Sequence, residues 1–158
     1  MSDLTHLDEK GRARMVDVSA KDVTERRAVA RARLVMSEGT LERILKGDLP
    51  KGDVLAVART AGIMAAKKTS DLIPMCHPLP IAAVEVVFEP AGTSELTVEG
   101  RVVVTAKTGA EMEALTAVTV AGLTVYDMVK AVDREMTLTD VMLTEKSGGR
   151  SGHFKRAT

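Results

Sequence analysis

Aromatic residues and cysteines are scarce in this chain of 158 residues, which contains two Phe, one Tyr, no Trp and one Cys. So few aromatic rings offer no platform on which nucleic-acid bases stack. The core must therefore be built from aliphatic side chains and from nine flexible Met residues. The lone Cys76 excludes an internal disulfide, which agrees with a reducing compartment.

The chain also lacks an excess of charge of either sign. Lys plus Arg number 22, as do Asp plus Glu, and the pI is near 6.8. This balance argues against a broad nucleic-acid-binding face, although local basic clusters remain. We find no apolar run as long as a signal-peptide core or a membrane span, and we therefore expect a cytoplasmic protein without a membrane partner.

The domain organisation is expected to be simple, because 158 residues with a hydrophobic fraction of 45% suit a single core. Residues 1–27 are charged and lack a regular hydrophobic period, so we interpret them as a mobile or partner-dependent arm. Residues 28–158 are expected to form one domain that ends in a flexible C-terminal tail.

The hydrophobic periods predict an α+β fold. Alternating or β-branched apolar residues predict strands at 29–36, 81–88, 96–106 and 136–143. Helical spacing predicts a short helix between Ser37 and Gly47, a second from Asp53 to about 69, and a long apolar one from 110 to about 132. This order is typical of the ferredoxin-like, split βαβ fold, an antiparallel sheet with helices on one face.

The opposite face of that sheet bears on assembly. If strand residues such as Val84, Val86, Val102 and Val104 point away from the helices, they expose an apolar surface. Such a surface would favour association of several chains.

The most specific local signal is the loop at residues 71–79, with the sequence DLIPMCHPL. Its prolines exclude a regular helix and hold Cys76 beside His77 in a constrained conformation. A tight connection with a buried Cys and a satisfied His explains the pattern about as well as a functional site does. A zinc site is a weaker interpretation, since one Cys and three scattered His lack the spacing of a tetrahedral centre.

A second signal lies where a predicted strand passes into the long helix. Thr108 is expected to cap this helix and Glu111 to complete a capping box, a purely structural role. Glu113 is not used by that cap, so its carboxylate is available to bind a guanine-like edge or to move a proton.

Near the other end of the helix, Asp127 and Lys130 are one turn apart on an otherwise apolar segment. The simplest interpretation is a surface ion pair. The alternative is a partly buried pair with shifted pKa values, in which the lysine stabilises negative charge that develops on a phosphate.

Basic residues are spread along this neutral chain in numbers sufficient to hold a triphosphate. A glycine-rich stretch after Glu145 adds backbone NH groups that either form an anion-binding concavity or belong to a flexible tail. The cations are Arg26, Lys51, Lys67, Lys68, Lys146 and Arg150.

These segments together resemble the molybdenum cofactor biosynthesis protein C family. The similarity covers almost the whole chain, from MVDVS at residues 15–19 through the proline loop to KSGG at 146–149. Arg150 stands where many relatives are expected to have Lys, a change that keeps the charge but alters the geometry of phosphate contacts.

The resemblance implies a ferredoxin-like catalytic domain assembled as a homo-hexamer, a trimer of dimers. It implies a lyase that converts 3′,8-cyclo-7,8-dihydroguanosine 5′-triphosphate to cyclic pyranopterin monophosphate and diphosphate. No redox cofactor is required and no dedicated metal site is expected, while a divalent metal on the substrate triphosphate is compatible with the chemistry. No nucleic-acid partner is expected.

The resemblance also implies roles for individual residues. Lys51 and Asp127 are the leading proton-transfer candidates, and Lys130 is expected to assist catalysis. The expected substrate-binding residues are Arg26, Lys67, Met75, Cys76, His77, Glu111, Met112, Glu113 and Lys146.

Helix length predicts how these residues are shared. In one straight helix the 14 positions between Glu113 and Asp127 span roughly 21 Å. One nucleotide pocket has difficulty using both ends, so we hypothesise that neighbouring chains complete each other's sites.

Two rival classes of function remain open. A ferredoxin-like domain also suits a non-catalytic nucleotide-sensing module, and fold alone does not choose between them. A purely structural subunit is the second rival, although it leaves the clustered Lys, His and Glu unexplained. Product formation discriminates among the three.

Overall fold

The computed structural model describes residues 6–157, so the first five positions of the predicted arm lie outside the described residues. The helices and strands follow the expected order, with short additions. They are β1 (Thr24–Val35), α1 (Glu38–Lys46), α2 (Val54–Lys67), α3 (Thr69–Leu72), β2 (Ile81–Ala91), β3 (Glu95–Ala106), α4 (Glu111–Val129), β4 (Thr137–Ser147) and β5 (Phe154–Lys155).

The strands form one sheet in the order β2-β3-β1-β4-β5, and each neighbouring pair is antiparallel. The first four strands have the split βαβ arrangement, so the predicted α+β fold is confirmed. β1 lies at the centre of the sheet, and its alternate residues are apolar and buried. Leu34, for example, is fully buried and lies opposite Leu96 on one side and Leu138 on the other.

Small residues let the helical layer approach the sheet closely. α4 covers the centre of the sheet, and α2 packs beside α4 over β2. A Cβ on Gly62 would lie 2.9 Å from the carbonyl oxygen of Ala117, and one on Gly100 would lie 2.9 Å from Val118 Cγ1. Both glycines are therefore places where only a hydrogen fits between packed layers.

α4 is also long and apolar enough to cross a membrane by length and composition, a property that the sequence reading overlooked. Here it is the core helix of the domain. Its residues Ala117, Val118, Ala121 and Val125 are fully buried among the other elements. Its apolar character is explained by this packing.

The open face of the sheet corrects one expectation. Val86, Val102 and Val104 are 2%, 1% and 0% exposed and face the helices, so the predicted apolar outer surface is wrong. The error arises because strand periodicity groups these valines on one face of the sheet without showing that the helices cover that face. The open face instead has ion pairs, including Arg31 and Arg101 on either side of Glu99.

Several element boundaries also differ from the prediction. β1 begins at Thr24, so residues 24–27, assigned to the arm, belong to the sheet. β4 continues to Ser147 because its end pairs with β1, and the predicted tail returns as β5 to pair with it. α2 ends at Lys67, two residues early. The mobility of the arm and the division into arm and domain stay predictions.

Helix caps were predicted with mixed success. Asp53 caps α2 as expected, with Oδ1 accepting a hydrogen bond from the backbone NH of Ala56 at 3.0 Å. The capping box at Thr108 and Glu111 is wrong, because α4 begins after Ala110, which makes no side-chain cap bond within the described chain. Glu111 instead pairs with a lysine on β4, a contact between residues distant in sequence.

Candidate active site

A cavity of about 310 Å³ lies at the N-terminal end of α4, between that helix and the proline loop. The loop turns tightly after α3, where the backbone NH of Cys76 donates to the carbonyl of Ile73 at 3.1 Å. This geometry turns the loop toward the first turn of the helix. The six predicted residues that line the cavity are Met75, Cys76, His77, Glu111, Met112 and Glu113.

Glu113 is the buried carboxyl group of this cavity, with only 4% of its surface exposed. Its pKa is raised, mainly by burial and further by the nearby Glu111. A carboxyl group in this state keeps its proton to higher pH than an exposed one does. When protonated it can donate that proton to a substrate, and when ionised it can accept hydrogen bonds from an amidine-like edge.

The thiol of Cys76 lies in the same environment. Burial raises its pKa, and the negative charges of Glu113 and Glu111 raise it further. The thiol therefore stays protonated near neutral pH, which disfavours a role as a nucleophile.

Two cationic cavities adjoin the first. The nearer one, of about 130 Å³, shares Glu111 with it, and Lys146 Nζ lies 2.7 Å from Glu111 Oε1 across that boundary. The farther one has a volume of about 390 Å³ and is lined by Arg150. Arg26 lines both, with its Nε donating to the carbonyl of Ala106 at 3.0 Å. These positive side chains can hold a phosphate chain that extends from the first cavity.

The opposite end of α4 has a different cluster. Lys130 Nζ lies 2.6 Å from Asp127 Oδ1, while Lys51 Nζ lies 3.6 Å from Asp127 Oδ2 and donates to the Asp127 carbonyl at 3.1 Å. All three side chains are about half exposed, so the surface ion pair is confirmed and the alternative, a partly buried pair, is wrong. The pKa of Asp127 is lowered, first by its hydrogen bond from Lys130 and then by the charges of both lysines.

The structure thus brings the predicted residues together as two groups. The residues near Glu113 that were predicted to bind substrate line connected cavities, while the Asp127 cluster lies roughly 21 Å away along the helix. Lys67 is exposed at the end of α2 and, within residues 6–157, lines none of the three cavities.

The N-terminal arm supplies cavity residues that the sequence reading missed. Val16, Val18 and Lys21 line the first cavity, and Lys107 Nζ holds the segment by donating to the carbonyl of Ser19 at 2.7 Å. The MVDVS sequence at residues 15–19 was the available signal, since it contributes to the family resemblance. Its valines have no reactive group and therefore suggested no role.

Metal ligands are not clustered in the described chain. Among residues 6–157, no group of three or more His, Cys, Asp or Glu side chains is arranged to hold a metal ion. Phosphate oxygens of a bound substrate would therefore have to supply most ligands of any divalent ion at this site.

Comparison with known proteins identifies the family. The family model described as "MoaC family" matches residues 15–149, a span that includes most of the residues lining the cavities and the whole Asp127 cluster. The chain belongs to the MoaC family. This assignment agrees with the resemblance found from the sequence motifs.

Several MoaC relatives match over nearly their whole length. A protein of Mycobacterium tuberculosis named "Cyclic pyranopterin monophosphate synthase 3" is 63% identical over 153 residues, covering 97% of this chain and 86% of the relative. One of Desulfitobacterium hafniense, named "Cyclic pyranopterin monophosphate synthase", is 62% identical over 156 residues, covering 98% and 94%. That of Heliobacterium modesticaldum, with the same name, is 59% identical and covers 99% of both chains.

Proposed function

We propose that this chain is a cyclic pyranopterin monophosphate synthase of molybdenum cofactor biosynthesis. The observation that carries the proposal is the 62–63% identity to synthases of that name over nearly the full chain. The connected cavities support it, because one is suited to a heterocycle and its neighbours to phosphates. The substrate we propose is 3′,8-cyclo-7,8-dihydroguanosine 5′-triphosphate, and the second product is diphosphate.

The purine-derived rings are assigned to the cavity beside the proline loop. There Glu113 and His77 offer polar groups beside apolar side chains that include Met75 and Met112. Because burial raises the pKa of Glu113, this carboxyl group can be neutral or charged as the ring edge requires. The rings would thereby be oriented before any bond changes.

The triphosphate is assigned to the cationic cavities. Lys146 and Arg26 lie directly beyond the ring cavity, and Arg150 lies farther out. Closing a cyclic phosphate displaces diphosphate, so negative charge grows on the leaving oxygens. Positive side chains around those oxygens stabilise this charge without a redox cofactor. A divalent ion on the triphosphate is compatible with the same arrangement.

Proton transfers are assigned to the cluster at the end of α4. The lowered pKa of Asp127 keeps its carboxylate ionised at neutral pH, where it orients the ammonium groups of Lys51 and Lys130. An ammonium group held in this way can donate a proton to a ring nitrogen or a sugar oxygen. Ring opening and reclosure need such transfers.

We propose that each working site combines two chains. The Asp127 cluster lies roughly 21 Å along α4 from Glu113, too far for both to reach the same ring system within one chain. A neighbouring chain that supplies its own Lys51, Asp127 and Lys130 to the cavity would complete the site. A hexamer built as a trimer of dimers, located in the cytoplasm, is the assembly we propose.

The direct test is conversion of the cyclic dihydroguanosine triphosphate by the purified full chain. We expect diphosphate release together with a pterin that becomes fluorescent on oxidation. A synthase from one of the named relatives, assayed in parallel, is the positive control. Tight substrate binding without either product would instead support the nucleotide-sensing alternative and overturn the proposed activity.

A further inference from the structure

We infer that Gly149 is a positioning residue for Arg26, and that this role requires the absence of a side chain at position 149. The inference rests on the proposed function, because it concerns how the phosphate-binding part of that site is held. Arg26 is itself half-buried at the end of β1, on the boundary between the two cationic cavities.

One side of the Arg26 side chain is held by the sheet. Its Nε donates to the carbonyl of Ala106, the last residue of β3, at 3.0 Å. This bond uses one of the five N–H donors of the guanidinium group and leaves the terminal nitrogens for other partners. The direction in which those nitrogens point depends on the chain segment that packs against the opposite side of the guanidinium group.

The other side is the glycine pair that follows β4. β1 and β4 are still paired at Arg27 and Ser147, and beyond that point the chain turns through Gly148 and Gly149 with φ values of +93° and +74°. A Cβ on Gly149 would lie 2.1 Å from Arg26 Nη1 and 2.7 Å from its Cζ. The guanidinium group therefore lies directly against the backbone of residue 149.

The two glycines differ in what a side chain would strike. At Gly148 a Cβ would lie 2.2 Å from the backbone oxygen of Glu25, which cannot move without disturbing β1. At Gly149 the conflicting atoms belong to the far end of a flexible arginine. A Cβ at position 149 therefore displaces the guanidinium group and leaves the strands in place.

The guanidinium group is held where its positive charge can contact the oxygens of a bound diphosphate. Lys146 lines one of the two cavities and Arg150 the other, so Arg26 stands between two further cations. Arg26 lines both cavities, as do Lys21 and Ser151, and the planar fork of its guanidinium group suits two phosphate oxygens at once. Gly149 acts through Arg26 and does not itself react.

The chain contains a matched control for the cost of positive φ. Gly152 has φ +69°, close to that of Gly149, but a Cβ there would meet no atom of the described chain within 4 Å. Gly149→Ala and Gly152→Ala thus impose a similar backbone penalty. They differ in whether the new methyl group meets Arg26.

The experiment measures binding of inorganic pyrophosphate by calorimetry, and KM and kcat with the proposed substrate. Gly149→Ala should weaken pyrophosphate binding and raise KM by about tenfold, the effect of losing one charge-assisted hydrogen bond, with a smaller change in kcat. Gly152→Ala should stay within about twofold of wild type for all three quantities. Thermal melts of both variants provide the check on folding.

A double substitution separates positioning from a general loss of structure. In an Arg26→Ala background, Gly149→Ala should have no further effect on pyrophosphate binding, because the group it displaces is gone. An additive effect in that background overturns the inference, as does equal behaviour of the two glycine variants. The inference is also overturned if the Arg26→Ala protein binds pyrophosphate as tightly as the wild type does.

The proposed function and this inference fail in different ways. If the wild type binds pyrophosphate through Arg26 and Gly149 as described but forms no pterin, the inference stands and the enzyme assignment falls. If the wild type forms product and Gly149→Ala matches Gly152→Ala, the enzyme assignment stands and the inference falls.

Discussion

The two ends of α4 hold carboxyl groups in opposite states. At the first turn Glu113 is buried and its pKa is raised, while in the last turn Asp127 is exposed between two lysines and its pKa is lowered. The same helix therefore presents a group that tends to keep its proton and a group that is readily ionised. Acid–base chemistry needs both kinds, and such a difference in environment is how proteins separate the two roles.

The comparison also shows how one apolar helix serves two functional ends. Its middle residues, such as Ala117 and Ala121, are fully buried and have no reactive groups. They fix the two ends relative to the sheet and to α2. We expect substitutions at the ends to change function with little loss of stability, and substitutions that disturb the middle to do the reverse.

The largest expected effect is at the exposed end. Lys51→Ala and Asp127→Ala should each lower kcat by at least about 100-fold, within the range that positioned acid–base groups supply. Melting temperature should change little, because neither side chain fills the core. Glu135→Ala, which removes an exposed carboxylate beyond the helix, is the control and should retain activity. Near-normal turnover in either variant would show that its assigned role is wrong.

The next prediction tests whether the two ends belong to one site in different chains. Glu113→Ala and Asp127→Ala proteins, each inactive, should regain activity when their subunits are exchanged. With random pairing at equal amounts, about one site in four receives both intact residues, so the recovery should approach a quarter of wild-type turnover.

Subunit exchange must be shown independently, for example by native mass spectrometry of the two variants with different masses. Each variant incubated alone provides the baseline. Proven exchange without recovery of turnover would mean that the two ends do not complete the same pocket in neighbouring chains.

A smaller effect, on stability, is expected where α2 packs against the middle of α4. Gly62→Ala should destabilise the fold by about 1–3 kcal/mol, since its Cβ would lie 2.9 Å from the backbone oxygen of Ala117 and 3.1 Å from Ala121 Cβ. Gly39→Ala, in α1, would meet no atom of the described chain within 4 Å and should instead stabilise, by up to about 1 kcal/mol. Chemical denaturation measures both. Equal effects would mean that close packing is not what requires glycine at position 62.

The smallest expected effect is on pH dependence, and it has opposite signs at the two ends. The folded-state pKa of Glu113 is raised above the ordinary 4.5. Its contribution to stability therefore declines as pH rises from 4.5 toward the folded-state pKa. Glu113→Gln should therefore gain stability relative to wild type between pH 4 and neutral pH.

For Asp127 the folded-state pKa is below the ordinary 3.8, so its contribution is present above that value and disappears in acid. Asp127→Asn should accordingly lose stability relative to wild type as pH rises. Melting temperatures of both variants and wild type across the pH range provide the measurement. Parallel profiles for the two variants would contradict the opposite pKa shifts.

Much of the fold could be read from the chain because its signals are local. Asp53 caps the helix that follows it, and the antiparallel pairing of β2 and β3 agrees with the turn signal between them. The proline loop and the first turn of α4 are each recognisable as a candidate site from their own residues. In each case the information lies within a few neighbouring residues.

Contacts between distant residues account for the errors. Glu111 was expected to cap its own helix, but Lys146 reaches it from β4, 35 positions away. Strand periodicity places Val102 and Val104 on the same face of β3, and only the position of α4 decides that this face is inside. For Asp127 and Lys130 the sequence left a surface pair and a partly buried pair open. Only the fold shows that both side chains are about half exposed, although Val129 in the same turn is fully buried.

The sequence by itself determined the order of helices and strands, the family and the chemical types available for catalysis, because capping, periodicity and motifs depend on residues close along the chain. Tertiary structure alone decided which of these residues share a cavity and in what electrostatic state. Burial by the surrounding elements raises the pKa of Glu113. Lys51, 76 positions from Asp127 in sequence, adds to the lowering of the Asp127 pKa that Lys130 causes at the end of the same helix. Gly149 shows the same principle, since its importance lies in the guanidinium group that folding places against it.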